Sequence, residues 1–174
     1  MIKLICNNQL LYNTIFNYLS QKNILLSSPS RNHQIVINIQ DDEKVINIDI
    51  NGYKAEILLP IDINFLNSHI LKKIIDINFP LGDYKYFPYK RIISYQNRKS
   101  LLSDIQNLII SNLIITKEGI DKDYLYNLIW KRDKSIYINK LDTHLTNLKK
   151  KLNQELNLKI NFQSLNKKLR LLID

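Results

Sequence analysis

In the stretch NKLDTHLTNLKKKLNQEL, from Asn139 to Leu156, the side chains of Lys140, Thr143, Thr146, Asn147, Lys150, Lys151 and Gln154 are donors of the kinds that reach phosphates and base edges. Their placement matters more than their number. The leucines at 141, 145, 148, 152 and 156 recur at i, i+4 and i+7, and at 100° per residue they span a wedge of about 80°. The donors lie opposite, with Lys151 at the edge of their face. The segment reads as one helix, buried along a leucine stripe and basic on its outer side. Asn139 is placed to cap its first turn, and Asp142 suits the helix N-terminus. Such a face suits a polyanion, yet lysine-rich outer faces often serve only to solvate a helix, so charge alone decides little. A second cationic group, Lys167, Lys168 and Arg170, follows at the turn between the apolar runs Lys159 to Phe162 and Leu169 to Ile173.

Other chemistries find few parts in this chain. The single Cys6 permits neither an internal disulfide nor a cysteine zinc cluster, and His33, His69 and His144 have no ligand spacing. Only Gly52, Gly82 and Gly119 are glycines, too few for a glycine-rich phosphate loop. No nucleophile, base or metal constellation can be assembled. The sequence therefore predicts no enzymatic activity, metal or cofactor. It contains no run of eighteen apolar residues, and its N-terminus MIKLICNN turns polar too soon for a signal peptide, which predicts a cytoplasmic protein without a membrane span.

The net charge of +9 is unevenly placed. Residues 1–90 hold 9 Lys+Arg against 8 Asp+Glu, whereas residues 91–174 hold 16 against 8. A nearly neutral module thus precedes one suited to nucleic acid or an acidic surface.

The elements that must position the basic helix follow from the pattern of residues 81–174. Short strands are expected at Tyr84 to Phe87, Arg91 to Tyr95 and Ser100 to Leu102, the last two joined by a Gln96, Asn97, Arg98 turn. Ser103 and Gln106 form a capping box for a helix with Ile105, Leu108, Ile109 and Leu113 inward. Gly119 breaks the chain, and Asp121 caps a helix with Leu125, Leu128 and Ile129 inward and Trp130 in the core. Lys131 to Ile138 is a polar connection. In residues 1–80, Ile2 to Cys6 reads as a buried strand, and Leu11, Ile15, Tyr18 and Leu19 share a helix face. QIVINIQ and KVINIDI alternate at period two, and Asn51-Gly52 marks a tight hairpin before Tyr53 to Leu59. Asp62 caps a last helix with Phe65, Leu66, Ile70, Ile74 and Ile77 on one face.

Strands, three helices and a terminal hairpin in this order form a winged helix-turn-helix. Residues 83–173 resemble the effector domain of the OmpR/PhoB class of response regulators. GDYKYFPYKRIIS resembles the family's first strands, LLSDIQNLI the start of its first helix, EGIDKDYLYNLIW its second helix ending in Trp, and LDTHLTNLKKKL its recognition helix. The resemblance implies a recognition helix in the major groove and a terminal hairpin near the minor groove or the backbone. Thr143, Thr146, Asn147 and Lys150 would then face base edges or nearby phosphates, and Lys140 and Lys151 would flank the groove on phosphates. Lys167, Lys168 and Arg170 would meet phosphates from the wing. Lys149, nearer the leucines, is expected to pair with Asp142 or the backbone, and His144 either to pack locally or to touch DNA. Two departures stand out: Asn147 takes the place of a basic residue, and NKKLRLL lacks the wing's glycines and terminal aromatic, although Asn166 suits a left-handed turn.

The first half is similar at its ends to a truncated, degenerate receiver domain. MIKLICNNQLLYNTIFNYLSQ resembles the first strand, acidic pair and first helix, and EILLPIDINFLNSHI the fifth strand and last helix. Asn7-Asn8 replace the acidic pair, Asn38 stands at the phosphoacceptor position, and Leu59 replaces the lysine before Pro60. Amides neither neutralise magnesium nor accept phosphate. The Asn-Gly hairpin also departs from an alternating parallel sheet, so an unrelated small α+β domain remains the other reading. Dimerisation is implied, with the Asp62 to Ile77 helix either resembling the receiver's dimer face or packing on its own sheet.

The fold class expected is α+β: a small α/β or α+β domain over residues 1–80, then a winged helix-turn-helix domain over residues 81–174 with an N-terminal antiparallel sheet. The resemblance implies a sequence-specific transcriptional regulator that binds double-stranded DNA as a homodimer without aspartate phosphorylation. Lys131 to Ile138 holds the place of a loop that touches RNA polymerase in the family, or is simply solvated. A protein-interaction module that keeps the fold without binding DNA is the alternative.

Overall fold

Alternating isoleucines build the first sheet. The computed structural model describes residues 2–22, 24, 35–42, 44–116, 118–130 and 139–173. Strand β2 (Ile35–Asp42) buries Ile35, Ile37 and Ile39, and β3 (Val45–Ile50) buries Ile46, Ile48 and Ile50, so every second side chain enters one core. Between β3 and β4 (Tyr53–Leu58), Asn51 at φ 50° and Gly52 at φ 88° form the tight turn expected of Asn-Gly. Strand β1 (Ile2–Cys6) pairs in parallel with β2 through the crossover that contains helix α1 (Gln9–Gln21). The sheet order is β1-β2-β3-β4, and its other two pairings are antiparallel. The half is α+β. Its mixed sheet follows from the two hairpins, which return the chain directly instead of through helices.

Helix α1 turns Ile15 and Leu19 inward, and α2 (Ile63–Ile75) turns Leu66, Ile70 and Ile74 inward. Their caps are Asn8, whose side chain accepts the Leu10 and Leu11 N–H groups, and Asp62, which accepts that of Asn64. Phe65 departs from its expected buried position and is 59% exposed, stacked on His69. Ile77 lies beyond the end of α2. The Asn7 and Asn8 amides, which the resemblance set at acidic positions, are structural ties. Asn7 Nδ2 donates to the Asp41 carbonyl and Asn7 Oδ1 accepts the Asp41 N–H, while Asn8 Nδ2 donates to the Asp41 carboxylate at 2.6 Å. Asn38 lies on the outer sheet face, between Ile5 and Asp49 in register.

The chain divides into two units, residues 1–76 and 77–174, each with its own core. The division precedes the expected boundary at residue 80 because β5 (Phe79–Leu81) pairs with β6 (Tyr84–Phe87) and belongs to the second unit. A four-stranded antiparallel sheet continues through β7 (Ile92–Tyr95) and β8 (Arg98–Leu101). Arg98 is the first residue of β8 and not part of the turn, since Gln96 at φ 50° lets Gln96-Asn97 alone close the hairpin.

Three helices follow: α3 (Asp104–Ile115), α4 (Lys122–Trp130) and α5 (Asn139–Leu156). The capping box on α3 is complete, with the Gln106 N–H donated to Ser103 Oγ and the Ser103 N–H to Gln106 Oε1. Asp121 caps α4 by accepting the Tyr124 N–H at 2.8 Å. Leu128, expected inward, is 41% exposed, whereas Leu125 is fully buried and Ile129 packs partly against the core. Strand β9 (Ile120–Asp121) precedes α4, and the chain ends in β10 (Ile160–Leu165) and β11 (Lys168–Ile173), giving a sheet ordered β10-β11-β9. The expected connection Lys131 to Ile138, and the capping side chain of Asn139, lie outside the described residues. Among the described residues no helix is long and apolar enough to cross a membrane.

Candidate nucleic-acid interface

Helix α5 is fixed by its leucines. Leu141, Leu145, Leu148, Leu152 and Leu156 are all buried in the core of the second unit. At roughly 1.5–3 kcal/mol for each buried leucine, this stripe sets the helix's rotation far more firmly than any surface contact. Asn157 at φ 57° ends the helix, and the Asn157 and Leu158 N–H groups reach back to the Asn153 and Leu152 carbonyls. The opposite face is consequently held outward. Lys140, Thr143, Thr146, Asn147, Lys150 and Gln154 lie on that face, and all six are exposed.

The lysines of α5 have different local duties. Among the described residues, no hydrogen bond or ion pair engages the Lys150 ammonium. Lys151 turns back, donating to the Leu101 carbonyl of β8 and lying 3.9 Å from Glu155. It lies, as expected, at the edge of the donor face, and at 280° from Leu141 on the wheel its stem reaches the sheet. Lys149 donates to Asn161 Oδ1 on β10, and not to Asp142. Asp142 is paired instead with Lys122 at 3.5 Å. Lys140 stands over the Trp130 ring at 5.1 Å from its centroid.

His144 packs against Trp130 with ring centroids 5.6 Å apart, and Trp130 also meets Tyr126 at 4.8 Å. Burial, with a smaller contribution from the Lys140 charge, holds the His144 pKa below its ordinary value. His144 thus has a packing role, and Trp130 is half-buried at the rim of the core.

The hairpin tip supplies the second group of charges. Leu165 pairs with Lys168, leaving Asn166 at φ 49° and Lys167 at φ 63° as the two left-handed centres of the turn. Lys167 and Lys168 are exposed there. Arg170 is held differently: its Nε donates to the Glu118 carbonyl at 2.9 Å, so it braces the chain before β9. Between α5 and this hairpin opens a groove of about 390 Å³, lined by Lys122 and its partner Asp142, Thr146, Lys149, Asn161 and Ser164 above Leu145, Phe162 and Leu169. The larger hollow, about 580 Å³, lies on the outer sheet face of the first unit, among amides and charges of both signs.

Sequence reasoning missed Lys122, Asn161 and Ser164 as groove residues. Lys122 comes beside the hairpin because β9 pairs with β11 at Ile120↔Leu169 and Asp121↔Lys168, and the Lys122 N–H bonds to the Lys167 carbonyl. A two-residue strand has no detectable period. Asn161 and Ser164 stand three residues apart in β10, an odd spacing that puts them on opposite strand faces, so no period-two pattern marks them together.

Compared with known families and with curated proteins, the chain matches neither a family nor an individual protein.

Proposed function

We propose that the protein is a sequence-specific transcriptional regulator whose second unit is a winged helix-turn-helix of the OmpR/PhoB type, and that α5 is its recognition helix. One observation carries the reading: five buried leucines lock α5 so that Thr143, Thr146, Asn147 and Lys150 face outward beside the cationic hairpin tip. The order of α3, β9, α4, α5 and the β10-β11 hairpin supports it, because such a motif presents its last helix to the major groove and a wing to the flanking backbone. Lys150 supplies charge at the centre of the face. Asn147 has the amide that pairs with adenine, and Thr143 and Thr146 suit base edges or phosphates. Lys122, Lys149 and Ser164 line the groove beside α5 together with Asp142, and Lys167 and Lys168 at the hairpin tip are of the kind that meets phosphates.

The proposed regulator acts as a homodimer through its first unit and without aspartate phosphorylation: the Asn7 and Asn8 amides neither neutralise magnesium nor accept phosphate, and both are bonded to Asp41. The mixed, sequentially ordered sheet lends no support to a receiver ancestry, and the proposal does not need one. Duplex binding measured across a salt series tests the reading. Affinity should fall steeply as salt rises, and Asn147→Ala should change sequence preference more than general affinity. Absent or salt-insensitive binding to every duplex in a randomised library would overturn it and leave a protein-interaction module.

A further inference from the structure

Strand β4 is an edge of the first unit's sheet, and no strand lies beyond it among the described residues. The Asn51-Gly52 turn determines which of its backbone groups are used. A two-residue turn bonds Ile50 to Tyr53, and ladder bonds then alternate, so Tyr53, Ala55 and Ile57 bond to β3. The Leu59 N–H donated to the Lys44 carbonyl at 2.9 Å continues the same alternation. Lys54, Glu56 and Leu58 therefore turn their N–H and C=O groups to the open edge. All three side chains are exposed, Leu58 at 77%. Charge on an edge strand ordinarily prevents pairing. Here a cation and an anion stand symmetrically about Ala55.

We infer that β4 pairs antiparallel with β4 of a second copy about a two-fold axis at Ala55. Pairing that uses the outward groups must set even-numbered residues against one another, which limits the register. Centring on Lys54 brings two ammonium groups face to face, centring on Glu56 brings two carboxylates together, and centring on Ile57 sets Lys54 against Pro60, which has no N–H to donate. Like charges directly opposite are destabilising. Centring on Ala55 sets Lys54 opposite Glu56 of the second copy, and Glu56 opposite its Lys54, each pair exchanging two backbone hydrogen bonds. On the helix side of the sheet, Tyr53 then meets Ile57 of the second copy, an aromatic and β-branched pair, while the small Ala55 side chains meet at the axis.

The neighbouring surface fits the same partner. Tyr53 lies 6.3 Å from His69, which lies 6.3 Å from the exposed ring of Phe65, and Lys73 covers Tyr53 at 3.9 Å. Tyr53, the first residue of β4, joins this surface of α2 to the strand, and its ring and that of Phe65 are exposed. The occupant is another copy of this chain because the charge pattern of YKAEI is complementary to itself when reversed.

The inference gives a location to the dimerisation proposed above, and its test uses no DNA. Sedimentation of the full chain should show a dimer. Lys54→Glu and Glu56→Lys, each placing like charges opposite, should weaken self-association on the order of tenfold or more, and the double exchange Lys54→Glu/Glu56→Lys should restore it. In a Cys6→Ser background, Ala55→Cys should form a disulfide-linked dimer under mild oxidation, because the Cβ atoms of a non-hydrogen-bonded pair approach within disulfide reach. Circular dichroism of each variant verifies folding. A monomer at every concentration, a dimer indifferent to both single reversals, or absence of a cross-link in the Ala55→Cys variant would overturn the inference. Loss of DNA binding with the dimer intact would instead overturn only the regulator reading.

Discussion

The side chain of Arg170 lies across Gly119, so closely that a Cβ on the glycine would stand 2.7 Å from Arg170 Cγ and 3.2 Å from the Leu169 carbonyl oxygen. Gly119 has φ +91°, and its N–H bonds to the Thr116 carbonyl, turning the chain from α3 into β9. Both the backbone angle and the contact require glycine. Gly119→Ala should destabilise the second unit by about 1–3 kcal/mol, from left-handed strain and displacement of Arg170. Urea denaturation monitored by Trp130 fluorescence measures it; an unchanged midpoint would refute the packing argument.

Lys150 and Lys151 are adjacent in sequence but unlike in surroundings. Lys150 faces outward, whereas Lys151 bonds to the Leu101 carbonyl. If α5 meets duplex DNA as proposed, Lys150→Ala should weaken binding to all duplexes and lower the slope of log affinity against log salt by about 1. Lys151→Ala should leave that slope unchanged and lower stability slightly. Equal effects of the two substitutions on the salt slope would show that sequence position, not the observed geometry, governs their charge.

The sequence pattern was most legible where period or turn chemistry was strong. The leucines of α5, the capping box at Ser103 and the Asn51-Gly52 hairpin all follow from local rules, and the structure realises each. Side-chain assignments at the edge of a face were less secure. Lys151 and Arg170 belong by composition to the cationic surface, yet their long apolar stems let each charged end reach a backbone carbonyl. Phe65 and Leu128 show the converse: helical spacing put them inward, but the core surface available to α2 and α4 does not extend to them. The groove around Lys122 depends on a two-residue strand and is a tertiary fact.

His144 provides a pH signature. Burial and Lys140 lower its pKa from the ordinary 6.5, so protonation favours the unfolded chain. Its stabilising contribution is complete above pH 6.5 and declines as pH falls below that value. The stability lost on His144→Gln should consequently be greater at neutral pH than at about pH 5.5. Thermal melting of both proteins across this range checks the sign; parallel pH profiles would remove His144 as the cause.

Lys167 occupies a position that glycine would fill more easily. At φ +63° it is the second centre of the hairpin turn, where Gly52 stands in the corresponding turn of the first unit. A left-handed lysine costs roughly 1–2 kcal/mol, and the extra freedom of glycine in the unfolded chain offsets about 0.5–1 kcal/mol of what the replacement would gain. Lys167→Gly should then stabilise the protein by about 0.5–1 kcal/mol. If the exposed ammonium meets a phosphate, the same change should lower duplex affinity and reduce the salt slope by about 1. Stability and binding would move in opposite directions, the pattern of a strained residue retained for contact with a ligand. A more stable variant with unaltered DNA affinity would instead assign the Lys167 charge to solvent and confine the hairpin's contribution to Lys168.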